Sequence, residues 1–319
     1  MALGKVIRHW RVKGLIQGLL SAVPGGDRIN DHLQTVLGDL RYFENNIKRK
    51  VDDWAGIMSH LDAVHHRAVE DSPILEIGTG WYPSLPFCFV LAGFPRVYTV
   101  DLTRHMRKTL TFRMLRALEP HLCRVADLSH RPAGAVREMF NRLIKTDRLD
   151  QLLVAADVRY HAPQDAAKLD WIPDGSVDMV YSNSVFEHIL PAKIVGLMRE
   201  AWRVLKPDGL MVHAVACNDH YAHFDKNISF VNYLQYSERQ WRFWNSRLHY
   251  QNRLRASDFI KCAQDSGFRI LHQARAIRPG TREALSRMRI APQFHRYDPD
   301  DLAATTVDFV AAKLMPQAY

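Results

Sequence analysis

The run ILEIGTGWYP, Ile74 to Pro83, carries the residues best suited to hold a ligand. Gly78 and Gly80, with Thr79 between them, let the backbone turn sharply and let a ligand approach it closely, because neither glycine has a side chain. Glu76 places a carboxylate two residues before the first glycine, and Asp101 closes the later run RVYTVD. A carboxylate at that second point can accept hydrogen bonds from both hydroxyls of a ribose. The glycine turn alone does not choose a ligand: dinucleotide enzymes use G-x-G-x-x-G, and no third glycine follows Gly80. Downstream, Ser182-Asn183-Ser184-Val185-Phe186-Glu187-His188 offers an imidazole, a group that titrates near neutral pH and can take a proton from a nucleophile. Each residue also has a plainer reading. Asp101, or Asp157 in AADVRY, could cap a helix, Asn183 could be a turn residue, and His188 could brace the helix that follows it.

A sheet is needed to bring these residues together. From Pro73, short apolar runs alternate with helical stretches, the signature of a parallel sheet built from βαβ units. The predicted strands are Ile74–Ile77, Val97–Val100, Leu152–Ala156, Val177–Tyr181, Leu210–Cys217, Arg269–Ala274 and Thr305–Ala311. The fold class expected is α/β: a doubly wound, mostly parallel seven-stranded sheet over residues 71–319, with ligands bound beyond the carboxyl ends of the strands. Residues 102–150 exceed what one crossover needs, and Val136, Met139, Phe140, Leu143 and Ile144 recur at helical spacing. A helical insertion, read as a cap, is predicted there between the second and third strands. Residues 1–70 read as an N-terminal helical extension with three helical patterns, Val12 to Val23, Leu33 to Ile47 and Trp54 to Val64. Residues 218–260 read as an elaboration on the acceptor side.

In this order and spacing, ILEIGTG, TVD, DGSVDMVYSNSVFEHI and EAWRVLKPDGLMVH resemble the class I methyltransferases that use S-adenosylmethionine (SAM). The resemblance covers Pro73 to Cys217 and is looser beyond. It implies SAM as cofactor, with Glu76, Gly78, Thr79 and Gly80 around its amino-acid part and Asp101 on its ribose. An acid after the third strand would read the adenine amine; Asp157 is assigned, with Asp127 in RVADLS as competitor. The resemblance also implies contact between Asn183 and the methionine part. Many small-molecule members share the Glu-His pair at 187–188, which supports His188 as the base while Glu187 orients the cofactor or a backbone amide. Tyr82 stands where the family often has a third glycine.

Composition bounds the partners. The chain has 319 residues and a formal net charge of +9, which favours anionic ligands. Cys88, Cys123, Cys217 and Cys262 make no C-x-x-C pair, so neither a zinc site nor a disulfide framework is expected, and a reducing, cytoplasmic setting fits. No apolar run reaches the length of a membrane span, and a secretory reading of the basic N-terminus conflicts with the cofactor chemistry. Residues 1–25, with basic Lys5, Arg8, Arg11 and Lys13, could instead lie on an anionic membrane surface, or dock on the main domain or on a second subunit of an oligomer. His220, His223 and Asp225 stand in a polar loop with no i, i+4 histidine pair, so no metal is expected. Aromatics interleaved with arginines over 232–259 could stack bases or sugars, or fill core.

The acceptor expected is a small molecule or glycan, nucleotide- or lipid-linked and methylated on oxygen. SERQW and YQNRLRASDF resemble proteins of bacterial cell-surface polysaccharide biosynthesis. An RNA methyltransferase is the rival that the charge favours, but there is no appended RNA-binding module and no N/D-P-P-Y/F tetrapeptide after the fourth strand, so nucleic acid is not expected as a partner. A SAM-binding scaffold without catalysis is the third reading.

Overall fold

A computed structural model describes residues 9–26, 29, 43–64 and 73–313. Its centre is a seven-stranded sheet in the order β3-β2-β1-β4-β5-β7-β6. The strands are β1 Ile74–Ile77, β2 Val97–Val100, β3 Val158–His161, β4 Val177–Asn183, β5 Leu205–Ala216, β6 Phe268–Ala276 and β7 Thr306–Lys313. Strands β1 to β5 run parallel, whereas β7 is antiparallel to both β5 and β6. The doubly wound, mostly parallel α/β sheet expected from the sequence is therefore present. The chain lays down β1, β2 and β3 in one direction and then returns to place β4 on the other side of β1. That reversal opens a crevice between the carboxyl ends of β1 and β4, where open parallel sheets bind ligands.

All four residues of β1 are buried, as a central parallel strand covered on both faces requires. One face is covered by α2 (Phe43–Ala63), α3 (Ser84–Leu91), α4 (Lys108–Ala117), α5 (Leu122–Ser129) and α6 (Ala133–Ile144), which share one apolar cluster with the sheet. Helix α2 buries Phe43, Ile47, Val51, Trp54 and Ile57 in that cluster, so this part of the N-terminal extension is a structural layer of the main domain. The predicted insertion is helical, but its helices lie in this layer and do not cap the ligand end. The opposite face is covered by α8 (Pro191–Val204) and α9 (Ala256–Asp265).

The first helix, α1 (Trp10–Ser21), sits apart from both layers. Trp10, Gly14 and Gln17 are its buried residues, and Trp10 belongs to a third cluster with Tyr221, Tyr233 and Trp241 of the 218–260 elaboration. Gly14 permits this close approach, since a Cβ there would stand 3.0 Å from the Tyr221 hydroxyl and 3.1 Å from the Trp244 ring. The pattern predicted over Leu33 to Leu40 falls outside the described residues.

One strand departs from the prediction. Leu152–Ala156 is not the third strand; it belongs to α7 (Leu149–Ala155), and β3 begins at Val158. An apolar run of five residues fits either element, and β3 gave little signal because it is the edge strand, with Val158 buried and Arg159 exposed. Lys206-Pro207-Asp208-Gly209 loops out of β5 opposite a single residue: Val177 pairs with Leu205 and Met179 with Leu210.

Candidate functional site

A cavity of about 690 Å³ opens beyond the carboxyl ends of β1 to β4. From β1 it takes the glycine turn. Gly78 has φ +86° and Gly80 φ +71°, the left-handed region that favours glycine. At Gly78 a Cβ would fall 2.4 Å from Val185 Cγ2, so the turn packs directly on the segment after β4. At Gly80 a Cβ would meet nothing within 4 Å among the described residues, which leaves backbone open to a ligand.

Under the turn, the Thr99 hydroxyl donates to Glu76 Oε2 at 2.5 Å and accepts from the Thr79 hydroxyl. Glu76 is only 4% exposed; burial pushes its carboxyl up to about 8, against the pull of the Thr99 hydrogen bond, and the nearby Asp101 adds to the rise. Asp101 accepts from the Gly80 amide at 3.2 Å and from the Tyr160 hydroxyl at 3.0 Å. Burial moves this carboxyl upward too, partly offset by those donors. Glu76, Gly78, Thr79, Gly80 and Asp101 thus converge on one cavity, as expected.

Asp157 does not join them. It precedes β3 instead of following it, and so lies at the opposite end of the sheet from the cavity. Its φ of 46° turns the chain into the strand, and its carboxylate accepts from Arg96 Nε at 2.9 Å and Arg159 Nε at 3.3 Å. Asp127, the competitor, is in α5 and does not line the cavity either. The residues that β3 delivers are Gln164, Asp165 and Ala166. A third strand at Leu152–Ala156 gives them no place near the site; a strand at Val158–His161 puts an acid, Asp165, just past its carboxyl end. Lys50 of α2 and Lys193 of α8 also line the cavity and were missed, since no local motif marks them.

Strand β4 supplies Asn183, Val185 and His188. Asn183 donates to Asp53 at 2.8 Å, which ties the strand end to α2. Phe186–His188 forms a single 3-10 turn held by Asn252, whose side chain donates to the carbonyls of Phe186 and Ile189. His188 Nδ1 lies 2.8 Å from the Tyr250 carbonyl oxygen. A carbonyl only accepts, so Nδ1 carries a proton, and in the neutral ring the lone pair is on Nε2. Between these two residues, Gln251 accepts from the His220 amide at 3.2 Å. Tyr250, Gln251 and Asn252 therefore position both histidine loops, a role invisible in the sequence.

Glu187 points away from solvent, 1% exposed, and neither carboxylate oxygen has a hydrogen-bond partner among the described residues. Burial raises its pKa, against the pull of His188 beside it and of the nearby backbone amides of Glu187 and Ala216, which favour the charged form. Glu187, His188 and His220 each offer one ligand atom within 4.8 Å of the others, a grouping that could hold a metal ion. No metal is expected from the sequence, where the neighbouring candidates are His220, His223 and Asp225. Of that set, Asp225 accepts from the Trp10 amide at 3.0 Å, and His223 bonds Asn218 at 3.0 Å.

The arginine-aromatic segment is divided: Trp241, Arg253 and Arg255 are buried, whereas Arg239, Arg242, Phe243 and Arg247 are exposed. Arg255 is fully buried, and its guanidinium donates to the carbonyls of Cys217, Asp301, Leu302 and Ala304. Arg253 stacks on Trp241 and Phe294. These side chains fix the 218–260 elaboration against the sheet.

The cavity fits SAM in kind: glycine backbone open at residue 80, buried carboxylates at 76 and 101, and a volume within the range of cofactor pockets. A family model described as a methyltransferase domain matches residues 51–273. No curated protein matches the chain in sequence. Among solved structures, the chain is similar to geranyl diphosphate C-methyltransferase from Streptomyces coelicolor A3(2) at 15% identity, over 83% of this chain and 80% of that one, with a TM-score of 0.45. It is similar to Haemonchus contortus phosphoethanolamine N-methyltransferase 2 at 17% identity, over 81% and 52%, with a TM-score of 0.42. A SAM-dependent methyltransferase of Methanosarcina mazei aligns at 13% identity over 79% and 97%, with a TM-score of 0.43. With most of its length inside that family model and the expected sheet and glycine turn in place, the chain belongs to the methyltransferase-domain family, as a class I, Rossmann-like, SAM-dependent enzyme.

Proposed function

We propose that the enzyme methylates an oxygen of a small, anionic acceptor, a nucleotide- or lipid-linked sugar, with His188 as the general base. The observation that carries this reading is the orientation of His188: its Nδ1–H is spent on the Tyr250 carbonyl, which leaves Nε2 as the acceptor of a side chain that lines the cavity with Glu76, Gly80 and Asp101. When bound, SAM supplies a methyl group on a sulfonium, a leaving group that needs no activation. The protein's tasks are then to align a nucleophile and to take its proton. In this reading Glu76 and the turn 78–80 hold the amino-acid part of the cofactor, Asp101 the ribose hydroxyls, Asp165 the adenine, and Asn183 the methionine chain. His188 Nε2 accepts the hydroxyl proton as the methyl–oxygen bond forms.

Lys50, Lys193 and His105 at the cavity wall support an acceptor that carries phosphate. We place the enzyme in the cytoplasm, with contact to an anionic membrane through α1. In support, Leu15, Ile16 and Leu19 are exposed on that helix, and Val23 just beyond it, while Trp10 and Gly14 anchor it. Among the described residues no helix is long and apolar enough to cross a membrane.

The test is methyl transfer from labelled SAM to a panel of nucleotide sugars, glycolipids, amines and RNA. Label on the sugar hydroxyls supports the reading; label only on amines, carbon or RNA removes it.

A further inference from the structure

We infer that Glu187, His188 and His220 form a binding site for a divalent transition-metal cation at the rim of the cavity. The site itself does not depend on the proposed function, and only the cation's role toward an acceptor rests on that reading. Glu187 supplies the first argument. A carboxylate 1% exposed, with neither oxygen hydrogen-bonded among the described residues, is costly to keep in a fold unless a positive charge or a proton compensates it.

The surroundings favour a cation. His220 Nε2 lies 4.0 Å from Glu187 Oε1, too far for a hydrogen bond. Two ligand atoms that each sit about 2.1 Å from one ion are separated by at most roughly 4.2 Å, so the gap is of the size one ion spans. The third ligand atom, from His188, completes a set within 4.8 Å, which small side-chain movements would contract. His188 already has the outer partner that metal-ligating histidines use, since its Nδ1–H donates to the Tyr250 carbonyl and leaves Nε2 to coordinate. The His220 loop is held from behind by Gln251 through the His220 amide. A third imidazole, that of His249, borders His220 at 6.2 Å between ring centroids, and its Nε2 is buried without a hydrogen-bond partner among the described residues.

The donor set selects the ion. Two imidazoles and one carboxylate suit zinc, manganese or ferrous iron, whereas magnesium and calcium prefer oxygen ligands throughout. Three protein ligands leave coordination positions open, and His188 lies on the cavity wall, so those positions face the space where an acceptor would bind. An acceptor hydroxyl or phosphate oxygen is the ligand such a position would take. With the ion bound, His188 Nε2 would be a ligand and the ion would assist loss of the acceptor's proton; without it, His188 stays the general base of the proposed reaction.

The test uses the full chain stripped with a chelator, then titrated calorimetrically with zinc and with manganese, without SAM. One-to-one binding is expected, with a rise in melting temperature. Glu187→Gln and His220→Ala should each weaken it by at least about 100-fold, since even outer-shell partners cost 10- to 100-fold. Glu187→Gln should fold and, without metal, melt no lower than the parent, because it removes an uncompensated charge. Binding that survives Glu187→Gln, or no one-to-one binding, overturns the site and leaves Glu187 a buried acid that carries a proton. A parallel SAM titration separates the two claims: SAM binding without metal binding removes this inference alone, and metal binding without SAM binding removes the cofactor reading alone.

Discussion

The backbone amide of Gly80 lies 3.2 Å from Asp101 Oδ2, so the turn after β1 and the acid that ends β2 are joined directly. Two motifs separated by twenty residues of sequence become one surface, with the Tyr160 hydroxyl holding the same oxygen from β3. Asp101→Ala is expected to weaken SAM binding by about 1 to 3 kcal/mol, the range for loss of a charged hydrogen-bond acceptor. Calorimetry reads this directly, and an unchanged affinity would remove Asp101 from the ribose.

Glu76 gives a pH signature. Its carboxyl, ordinarily near 4.5, is pushed up to about 8 by burial in the folded protein. Between those values the folded state holds a proton that the unfolded state has lost, so this group's stabilising contribution is complete below about 4.5 and is lost as pH rises through about 8. Urea midpoints should therefore fall more steeply from pH 5 to pH 8.5 in the parent than in Glu76→Gln. Parallel curves for the two proteins would show that Glu76 does not carry that proton.

Asp165 and Asp157 can be told apart by a pair of variants. Asp165→Ala should weaken SAM binding by about 1 kcal/mol or more, as loss of an adenine contact would. Asp157→Ala should leave the affinity unchanged and cost some stability, because its partners are Arg96 and Arg159 far from the cavity. The reverse pattern would restore Asp157 as the adenine reader.

His188→Ala is expected to lower methyl transfer by about 100-fold or more with SAM affinity nearly intact, the usual share of a general base. Steady-state rates and a SAM titration on the same preparation decide this. Full activity would leave His188 as a brace for the 3-10 turn.

Much of this site was legible because its signals are local. A glycine pair next to an apolar strand, and an acid at the end of the next strand, declare their place at the cavity from neighbouring residues alone. Asp157 was misplaced because Leu152–Ala156 is apolar enough to pass for a strand, while the true β3, at the sheet edge, hides its period among Arg159, Tyr160 and His161. Lys50 and the Tyr250–Asn252 clamp could not have been read: they reach the site only through tertiary packing, across more than twenty residues from Glu76 and more than sixty from His188. The same holds for Glu187 and His220, which only the folded chain brings together.

The exposed stripe of α1 predicts a surface effect without a folding effect. Leu19 is 62% exposed, and Leu19→Glu with Ile16→Glu should abolish cosedimentation with anionic vesicles while changing stability by no more than about 0.5 kcal/mol per site. A parent protein that stays in the supernatant with such vesicles would exclude the membrane role.

The central claim is that the cavity between β1 and β4 holds SAM. Calorimetric titration of the purified chain with SAM and with its demethylated product, with NAD as control, tests it most directly. Binding of SAM and its product at micromolar concentrations, lost or weakened in Asp101→Ala and absent for NAD, is the predicted result. No heat with either SAM or product, or equal binding of NAD, would contradict the account.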